Sequence, residues 1–415
     1  MDYFEYKQQQ LYVENIPVSQ ITKQFGTPCY IYSHKTIERH FHAFNDALGE
    51  HPHMICYAVK ANSNIAILQL LAKLGSGFDV VSKGEMQRAL HAGGSPEKIV
   101  FSGVGKTVEE IEYALEQQIH CINVESVPEL ERIQKIAKQR NCIAPISLRI
   151  NPDIDPKTHP YISTGMKENK FGIEMEKARQ IYHQHHLYPN LKFIGIDCHI
   201  GSQLTQVTPF LEALDKLIHL ADELKQQEGL AIEHLDLGGG LGVTYDSERP
   251  PMPDELAQQV KQRLAGRPYK IILEPGRAIM ANAGILVTSV EYIKTHHQKH
   301  FAIVDAAMND LLRPSLYQAW HKIIPVSLSN EAPLKSYDVV GGICETGDFL
   351  GHDRELNISE GDLLAIRGAG AYGATMSSNY NTRPKVAEIL VENDIISLIR
   401  KRETFSDMIQ NEILL

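Results

Sequence analysis

The chain has 415 residues, and its 43% hydrophobic and 22% charged residues are typical of a globular protein with a sizeable core, large enough for two domains. Its net charge of −10 argues against binding to nucleic acid or to an anionic membrane surface, because both need basic patches. The sequence has neither a secretory signal pattern nor a window near the roughly 18 apolar residues of a membrane helix, so we expect a cytoplasmic protein.

The cysteines are scattered and form no CxxC pair. There are six of them: Cys29, Cys56, Cys121, Cys142, Cys198 and Cys344. Four lie in apolar, strand-like runs, where cysteine behaves as a small hydrophobic residue. This usage predicts a reduced, cytosolic protein without structural zinc or another metal site.

From residue 54 to residue 275, short apolar runs alternate with segments that have helical spacing. The runs are MICYAV, GFDVV, KIVF, CINV, PISLRI, FIGIDCHI, HLDLG and KIILE. Eight strands that alternate with helices predict a parallel sheet, and the number eight favours a closed (β/α)8 barrel over an open doubly wound sheet. We assign residues 26–284 to this barrel.

The pattern changes after Gly284. The segments GILVTSVEYIKT, HFAIVDAA, DLLAIRGAGAY and PKVAEILVEND are β-rich, with glycine and proline between them and without long helical patterns. The N-terminal run LYVENIPV is also strand-like and could pair with this part of the chain. We therefore predict a mostly-β domain formed by residues 1–25 and 285–415.

Lys60 directly follows the apolar run Ile55–Val59. Taken alone, a lysine in this place is more often a solvated charge than a functional group. In a (β/α)8 barrel, however, chemistry occurs at the carboxyl ends of the strands, and several other predicted strands also end in polar residues or glycines. These are Asp79, the segment CHIGSQ with His199 and Ser202, the glycine run Gly238–Gly242, and the segment EPGR with Glu274, Pro275, Gly276 and Arg277.

These residue types fit pyridoxal phosphate. The cofactor needs an amine that forms a Schiff base, a phosphate cradle and a partner for its ring nitrogen. Lys60 supplies the amine, and Gly239 and Gly240, beside Gly276, let backbone N–H groups approach a phosphate. Glu274 is placed as the ring-nitrogen partner.

Each of these assignments has a structural alternative. The glycine run can be a tight turn, and Glu274 can be an ion-pair partner of Arg277. His199 can be a hydrogen-bonded core histidine rather than a ring packed on the cofactor. Tyr372, in GAGAYG, is placed by its neighbours on an exposed turn from which its hydroxyl can reach a phosphate or a substrate.

The motifs resemble those of the diaminopimelate decarboxylase family over nearly the whole chain and in the same order. The matching segments are YAVKANSN, HIGSQ, GGGLG, EPGR, LLRPSLY, GGICETGDFL and GAGAYG. Members of this family have an alanine-racemase-like barrel with a β domain and depend on pyridoxal phosphate. The resemblance implies decarboxylation of meso-2,6-diaminopimelate to L-lysine, the last step of lysine biosynthesis.

The resemblance also implies residue roles. Lys60 binds the cofactor as a Schiff base, and Gly240, Glu274 to Arg277, Tyr372 and Ser202 lie around it. From their places at strand ends, we also assign Asp79 and His199 to the cofactor site. The substrate is held by Arg277, Arg313, Tyr317, Glu345 and Tyr372, and Cys344 donates the proton that replaces the carboxylate. Since Cys344 and Glu345 come from the other subunit in this family, the resemblance implies a homodimer with shared active sites.

One departure is Gly342, because we expect GPICE where this chain has GGICE. Glycine leaves that loop less constrained in φ than proline would, although no reacting group is lost. The segment from residue 151 to residue 172 fits a mobile loop over the site.

The main alternative is an ornithine- or arginine-type decarboxylase on the same fold, whose substrates lack a second carboxylate. Arg313 together with CETGD favours diaminopimelate. A racemase, a catalytically silent regulator and a single-barrel cofactor carrier fit less well, because this chain has the decarboxylase-like thiol, the cofactor residues and a β domain.

Overall fold

The structure is a computed structural model. It describes three stretches of the chain: residues 2–154, 169–328 and 332–415. The chain forms two compact units, which we call the β unit and the barrel unit. The β unit comprises Met1–Arg39, Thr244–Glu248 and Ile279–Leu415, and the barrel unit comprises His40–Val243 and Arg249–Ala278. Within the described stretches, no helix is both long and apolar enough to cross a membrane.

The chain begins with a small antiparallel sheet, followed by a helix, a buried strand and a second helix. The bounds are β1 Phe4–Lys7, β2 Gln10–Val13, β3 Ile16–Pro17, α1 Val18–Phe25, β4 Cys29–Ser33 and α2 His34–Leu48. Gln8, Gln9 and Glu14 have positive φ angles in the turns between the first three strands, which reverse the chain within two residues.

Strands and helices then alternate as far as Leu273. The strands are β5 His53–Ala58, β6 Gly77–Val80, β7 Ile99–Phe101, β8 Cys121–Val124, β9 Ala144–Asn151, β10 Ile173–Glu174, β11 Leu191–Asp197, β12 His234–Asp236 and β13 Lys270–Leu273. The helices are α3 Ile65–Lys73, α4 Lys83–His91, α5 Val108–Gln117, α6 Val127–Gln139, α7 Met175–His183, α8 Thr208–Glu228 and α9 Pro253–Arg263.

These strands close into a parallel barrel. The order is β9-β11-β12-β13-β5-β6-β7-β8, and β8 pairs back to β9, so that eight strands form a ring with β10 added beside β9. Each of the eight predicted apolar runs overlaps one strand of this ring. The predicted fold class, a (β/α)8 barrel with a mostly-β domain, is confirmed.

Polar caps set where several barrel helices begin. The Ser82 hydroxyl accepts a hydrogen bond from the Glu85 N–H at 3.2 Å before α4, and the Ser126 hydroxyl accepts one from the Glu129 N–H at 3.3 Å before α6. Such caps satisfy N–H groups that have no partner within the helix. They keep the loops after the preceding strands short and defined.

An apolar cluster fills part of the barrel interior. Its members come from five strands around the ring: Met54, Cys56, Val100, Cys121, Ile194 and Ile272. Met54 and Cys56 are two residues apart on β5, so their side chains point to the same side of the strand. This layer supports the polar residues that lie further along the strands, at their carboxyl ends.

The remaining elements lie in the β unit, apart from the first two residues of α10 (Arg277–Met280), Arg277 and Ala278, which belong to the barrel unit. The other elements are β14 Gly284–His296, β15 Lys299–Val304, α11 Arg313–Tyr317, β16 Ile323–Pro325, β17 Lys335–Val340, β18 Phe349–Leu356, β19 Leu363–Ile366, β20 Ala387–Glu392, β21 Ile395–Arg400 and α12 Phe405–Ile409. The main sheet has the order β18-β17-β15-β14-β4-β20-β21. The N-terminal strand β4 therefore lies between two strands from the far end of the chain, antiparallel to β14 and parallel to β20.

The core of the β unit joins residues from both ends of the sequence. Phe4, Leu11 and Val13 cluster with Ile285 and Val287, and the Leu11 N–H donates to the Val326 carbonyl at 2.7 Å. The N-terminal sheet is thus part of the hydrophobic core that the C-terminal strands complete.

Candidate active site

Lys60 lies just beyond the end of a barrel strand. Strand β5 ends at Ala58, one residue earlier than the sequence suggested, and a 3-10 turn at Val59–Ala61 carries the lysine. The Lys60 ammonium lies 2.5 Å from Oδ2 of Asp79, whose side chain is fully buried, while the Lys60 side chain is 37% exposed. Because Ala58 and Asp79 are register partners on β5 and β6, this ion pair follows directly from the strand pairing.

Asp79 belongs to a group of four buried carboxyl groups at or near the ends of barrel strands. The others are Asp197 on β11, Asp236 on β12 and Glu274 directly after β13. Each of the four has one oxygen without a hydrogen-bond partner in the described part of the chain. Burial and the repulsion between neighbouring carboxylates disfavour the ionised forms of Asp197, Asp236 and Glu274.

The raised pKa values of Glu274 and Asp236 follow from this arrangement. Burial, and then the charges of Asp236, Asp79 and Asp197, raise the pKa of Glu274 well above its usual range, against the opposing effect of Lys60. Burial raises the pKa of Asp236 to about 7, a hydrogen bond from the Gly238 N–H opposes this shift, and the charge of Asp79 adds to it.

Sequence reasoning missed Asp197 and Asp236. Both are the last residues of their strands, and they were counted within the apolar runs FIGIDCHI and HLDLG. A rule that looks for a polar residue at the carboxyl end of a predicted strand does not select them, because both predicted runs extend beyond the ends of the observed strands.

His199 and the glycine run contact each other. The Gly239 N–H donates to Nδ1 of His199 at 3.2 Å, so this ring nitrogen carries no proton. Burial, and then the charges of Arg149 and Lys60, lower the pKa of His199 well below its usual range. The imidazole is therefore neutral, and a neutral ring of this kind can pack on the face of an aromatic ring.

The glycines of this run are needed for close backbone approach. A Cβ on Gly239 would lie 2.2 Å from the Glu274 carbonyl oxygen, and a Cβ on Gly240, whose φ is +111°, would lie 2.3 Å from the Gly201 carbonyl oxygen. No other residue type fits at either position without a shift of the backbone. The loops after β11, β12 and β13 are thus in direct contact through their backbone atoms, with no side chain between them.

The EPGR segment follows β13 and reaches back to the Lys60 turn. A Cβ on Gly276 would meet the Cβ atoms of Ala58 and Ala61 at 3.0 Å. Arg277 is 7% exposed, and its Nε donates to the Ser202 hydroxyl at 3.2 Å. The barrel unit therefore brings the predicted residues of five strand ends together on one rim.

The other predicted residues lie in the β unit. Arg313 and Tyr317 are the first and last residues of α11, with Arg313 buried and Tyr317 half-buried. Tyr372 is half-buried, rather than exposed as we expected, and has a φ of +56°. Cys344 and Glu345 are both exposed.

Two residues that the sequence did not suggest hold the Cys344 segment. The Cys344 N–H donates to the Asn381 side-chain oxygen at 3.2 Å, and the Tyr380 hydroxyl donates to the Glu345 carboxylate. Elsewhere in this unit, Nη1 of Arg313 lies 2.9 Å from Nε2 of His321. The predicted residues of this unit thus form two local clusters.

Two sequence-based expectations stay predictions. Most of the proposed mobile segment 151–172 falls on residues 155–168, which lie outside the described residues. Gly342 is exposed, and a Cβ there would meet only the Arg383 guanidinium, at 3.2 Å.

Comparison with known proteins places these observations in a family. Residues 34–281 match the model of the pyridoxal-binding domain of pyridoxal-dependent decarboxylases. The diaminopimelate decarboxylase of Vibrio cholerae is 57% identical over 410 residues, which is 98% of each chain, and that of Haemophilus influenzae is 56% identical over 409 residues, again 98% of each. The Helicobacter pylori diaminopimelate decarboxylase complexed with L-lysine superimposes with a TM-score of 0.91 at 45% identity, covering 95% of this chain and 98% of that one.

Proposed function

Because this chain belongs to the pyridoxal-dependent decarboxylases and, within them, to the diaminopimelate decarboxylases, we propose that it removes the carboxylate from the D-configured centre of meso-2,6-diaminopimelate. The products are L-lysine and carbon dioxide, and the reaction is the last step of lysine biosynthesis. The observation that carries the proposal is the arrangement of the barrel rim. There the Lys60 amine pairs with the buried Asp79 carboxylate, next to the glycine-containing loops and the buried Glu274.

The rim residues fit pyridoxal 5′-phosphate. Glu274 has a buried carboxyl oxygen without a partner among the described residues, and a cationic ring nitrogen would pair with it and favour its ionised form. Lys60 would bind the carbonyl carbon, and the neutral His199 would pack on the ring. When bound, the cofactor withdraws the electron pair that remains after the carboxylate leaves.

The phosphate group calls for donors rather than charge alone. The close backbone packing at Gly239, Gly240 and Gly276 fixes the loops whose N–H groups would face the anion, and Ser202 and Tyr372 would add hydroxyl groups. Pro275 links Glu274 to this cradle, and its carbonyl accepts a hydrogen bond from the Ala58 N–H at 3.4 Å, next to the Lys60 turn.

Recognition of the substrate depends on its end that does not react. This end carries a carboxylate and an ammonium group, for which Arg313 and Glu345 are the matching charges, with Arg277, Tyr317 and Tyr372 as further contacts. Arginine suits the carboxylate because its planar fork can bind both oxygens. Ornithine and arginine lack this second carboxylate.

Cys344 would deliver the proton that replaces the carboxylate. Its thiol is exposed on this chain, as is the neighbouring Glu345. This exposure supports a homodimer in which each subunit contributes Cys344 and Glu345 to the site of its partner, so that the β domain completes the active site. We place this dimer in the cytoplasm.

The test is carbon dioxide release, measured in parallel with meso-diaminopimelate, ornithine and arginine as substrates. Turnover of meso-diaminopimelate at a kcat/KM at least about 100-fold above those of the two monocarboxylates is expected, which corresponds to about 2.7 kcal/mol of discrimination. Comparable or higher turnover of ornithine or arginine would replace the proposed substrate by the alternative.

A further inference from the structure

Arg313 is held in the β unit by a histidine that has no exposed surface. Arg313 is 7% exposed and His321 is 0% exposed. Nη1 of Arg313 lies 2.9 Å from Nε2 of His321, and Nδ1 of the same ring lies 2.9 Å from the carbonyl oxygen of Arg367. Each ring nitrogen of His321 therefore has a partner at hydrogen-bond distance.

These two partners determine where the proton of His321 lies. A guanidinium has only donors, so Nε2 of His321 must accept from Arg313 and carries no hydrogen. A carbonyl oxygen only accepts, so Nδ1 must donate to Arg367. A doubly protonated ring would direct an N–H group at the Arg313 N–H, and this contact therefore requires the neutral ring with its hydrogen on Nδ1.

Tyr245 fixes a second side of the same guanidinium. The central carbon of the Arg313 guanidinium lies 4.7 Å from the centroid of the Tyr245 ring, as in a cation–π contact. The Tyr245 and His321 rings meet edge to face, with centroids 5.3 Å apart. Gly368, at a φ of +67°, leaves room for the tyrosine, since a Cβ there would lie 3.1 Å from the ring.

Both contacts orient the guanidinium without neutralising its charge, because a neutral imidazole and an aromatic face carry no negative charge. The hydrogen bond to His321 uses one of the five N–H donors of Arg313 and sets the rotation of its plane. A carboxylate that binds in the bidentate mode requires such a fixed plane.

We infer that His321 is a positioning residue: its neutral ring, with the hydrogen on Nδ1, fixes the Arg313 guanidinium for the carboxylate at the non-reacting end of the substrate. This inference rests on the role proposed above for Arg313. It identifies His321 as a determinant of substrate affinity that need not touch the substrate.

Two amide substitutions separate the two hydrogen bonds of the ring. His321→Asn keeps an N–H donor near the position of Nδ1 and within reach of the Arg367 carbonyl, but it is too short to reach Arg313. His321→Gln places its amide oxygen near the position of Nε2 and keeps the acceptor for Arg313. With meso-diaminopimelate, we expect the asparagine variant to raise KM about tenfold with little change in kcat. The glutamine variant should stay within about threefold of the wild-type KM.

A double-mutant cycle distinguishes a role through Arg313 from general damage. If His321 acts through Arg313, His321→Asn adds little to the rise in KM that Arg313→Ala causes by itself. An equal, independent effect of His321→Asn in the Arg313→Ala background would overturn the inference. So would an unchanged KM in His321→Asn while Arg313→Ala raises it.

An error in the proposed role of Arg313 would give a different experimental result from an error in the role of His321. If Arg313→Ala itself leaves the KM for meso-diaminopimelate unchanged, the proposed role of Arg313 is wrong. Circular dichroism and thermal melting establish that each variant is folded. Should His321→Asn fail to fold, His321→Gln decides the question, because a tenfold rise of KM in a folded protein that keeps the acceptor contradicts the inference.

Discussion

The buried His234 predicts a loss of stability in mild acid that a single substitution should relieve. His234 begins strand β12 and is 1% exposed, and neither of its ring nitrogens has a hydrogen-bond partner in the described part of the chain. Its ring packs directly against Gly195, where a Cβ would lie 2.0 Å from Nε2. Burial, and then the charges of His120 and Lys270, lower the pKa of His234 from 6.5 to about 3.

The direction of the pH effect follows from this pKa. Above pH 6.5 the ring is neutral in both the folded and the unfolded protein. Between pH 6.5 and pH 3 the unfolded chain takes up a proton that the folded chain does not, so acid favours unfolding. At pH 5 the pH is about 1.5 units below the pKa of this histidine in the unfolded chain. The folded state therefore loses about 2 kcal/mol of free energy relative to the unfolded state.

The variant His234→Leu removes this titration. Because the imidazole makes no hydrogen bond in the described structure and leucine has a similar volume, the stability at pH 7.5 should change by less than about 1.5 kcal/mol. The free energy lost between pH 7.5 and pH 5, measured by urea unfolding with circular dichroism, should be about 2 kcal/mol smaller in the variant.

The matched control is His91→Leu, at an exposed position on α4. It should leave the difference between the two pH values unchanged, since its ring stays in water in the folded protein. If His234→Leu loses as much stability as the wild-type protein on going to pH 5, the ring is not held neutral by burial and the reasoning is wrong.

Three further predictions concern the barrel rim and the dimer. Gly239→Ala should destabilise the protein by roughly 1–3 kcal/mol and lower its cofactor content, because the new Cβ would lie 2.2 Å from the Glu274 carbonyl oxygen. The control is Gly105→Ala, where a Cβ would meet nothing within 4 Å. Equal effects of the two substitutions would contradict this explanation. The purified holoenzyme should show a visible absorbance band that Lys60→Ala lacks, and a band of unchanged position and intensity in the variant would rule out Lys60 as the amine that binds the cofactor. Mixing Lys60→Ala with Cys344→Ala subunits should restore part of the activity, whereas proven heterodimers without recovery would argue that each site uses its own Cys344.

The barrel could be predicted from the sequence because its strands are buried on both faces. Runs such as CINV and KIILE are short and continuously apolar, and they alternate with amphipathic helices, a pattern that indicates a parallel sheet. Strand ends were also informative, since Asp79 and Glu274 stand out against apolar neighbours. Asp197 and Asp236 escaped notice because the apolar runs continue past them.

The contacts of the β unit could not be predicted in the same way. Tyr380 and Glu345 are 35 residues apart, and their hydrogen bond depends on the fold of two loops that no periodicity marks. His321 is eight residues from Arg313, and the two approach each other after Gln318 adopts a φ of +52°. A lone histidine in a sequence gives no indication of its partner, so its role becomes apparent only in three dimensions.

The position of β4 in the main sheet has a consequence for how the protein is made. This strand is synthesised before the whole barrel, yet its two neighbours begin at Gly284 and Ala387. During translation, Cys29–Ser33 therefore leaves the ribosome as an apolar segment with both edges unpaired, and it stays so while the barrel residues emerge. Only when Ala387–Glu392 has been made can the sheet close around β4, so a chain that stops before residue 387 exposes an edge that invites pairing with other chains.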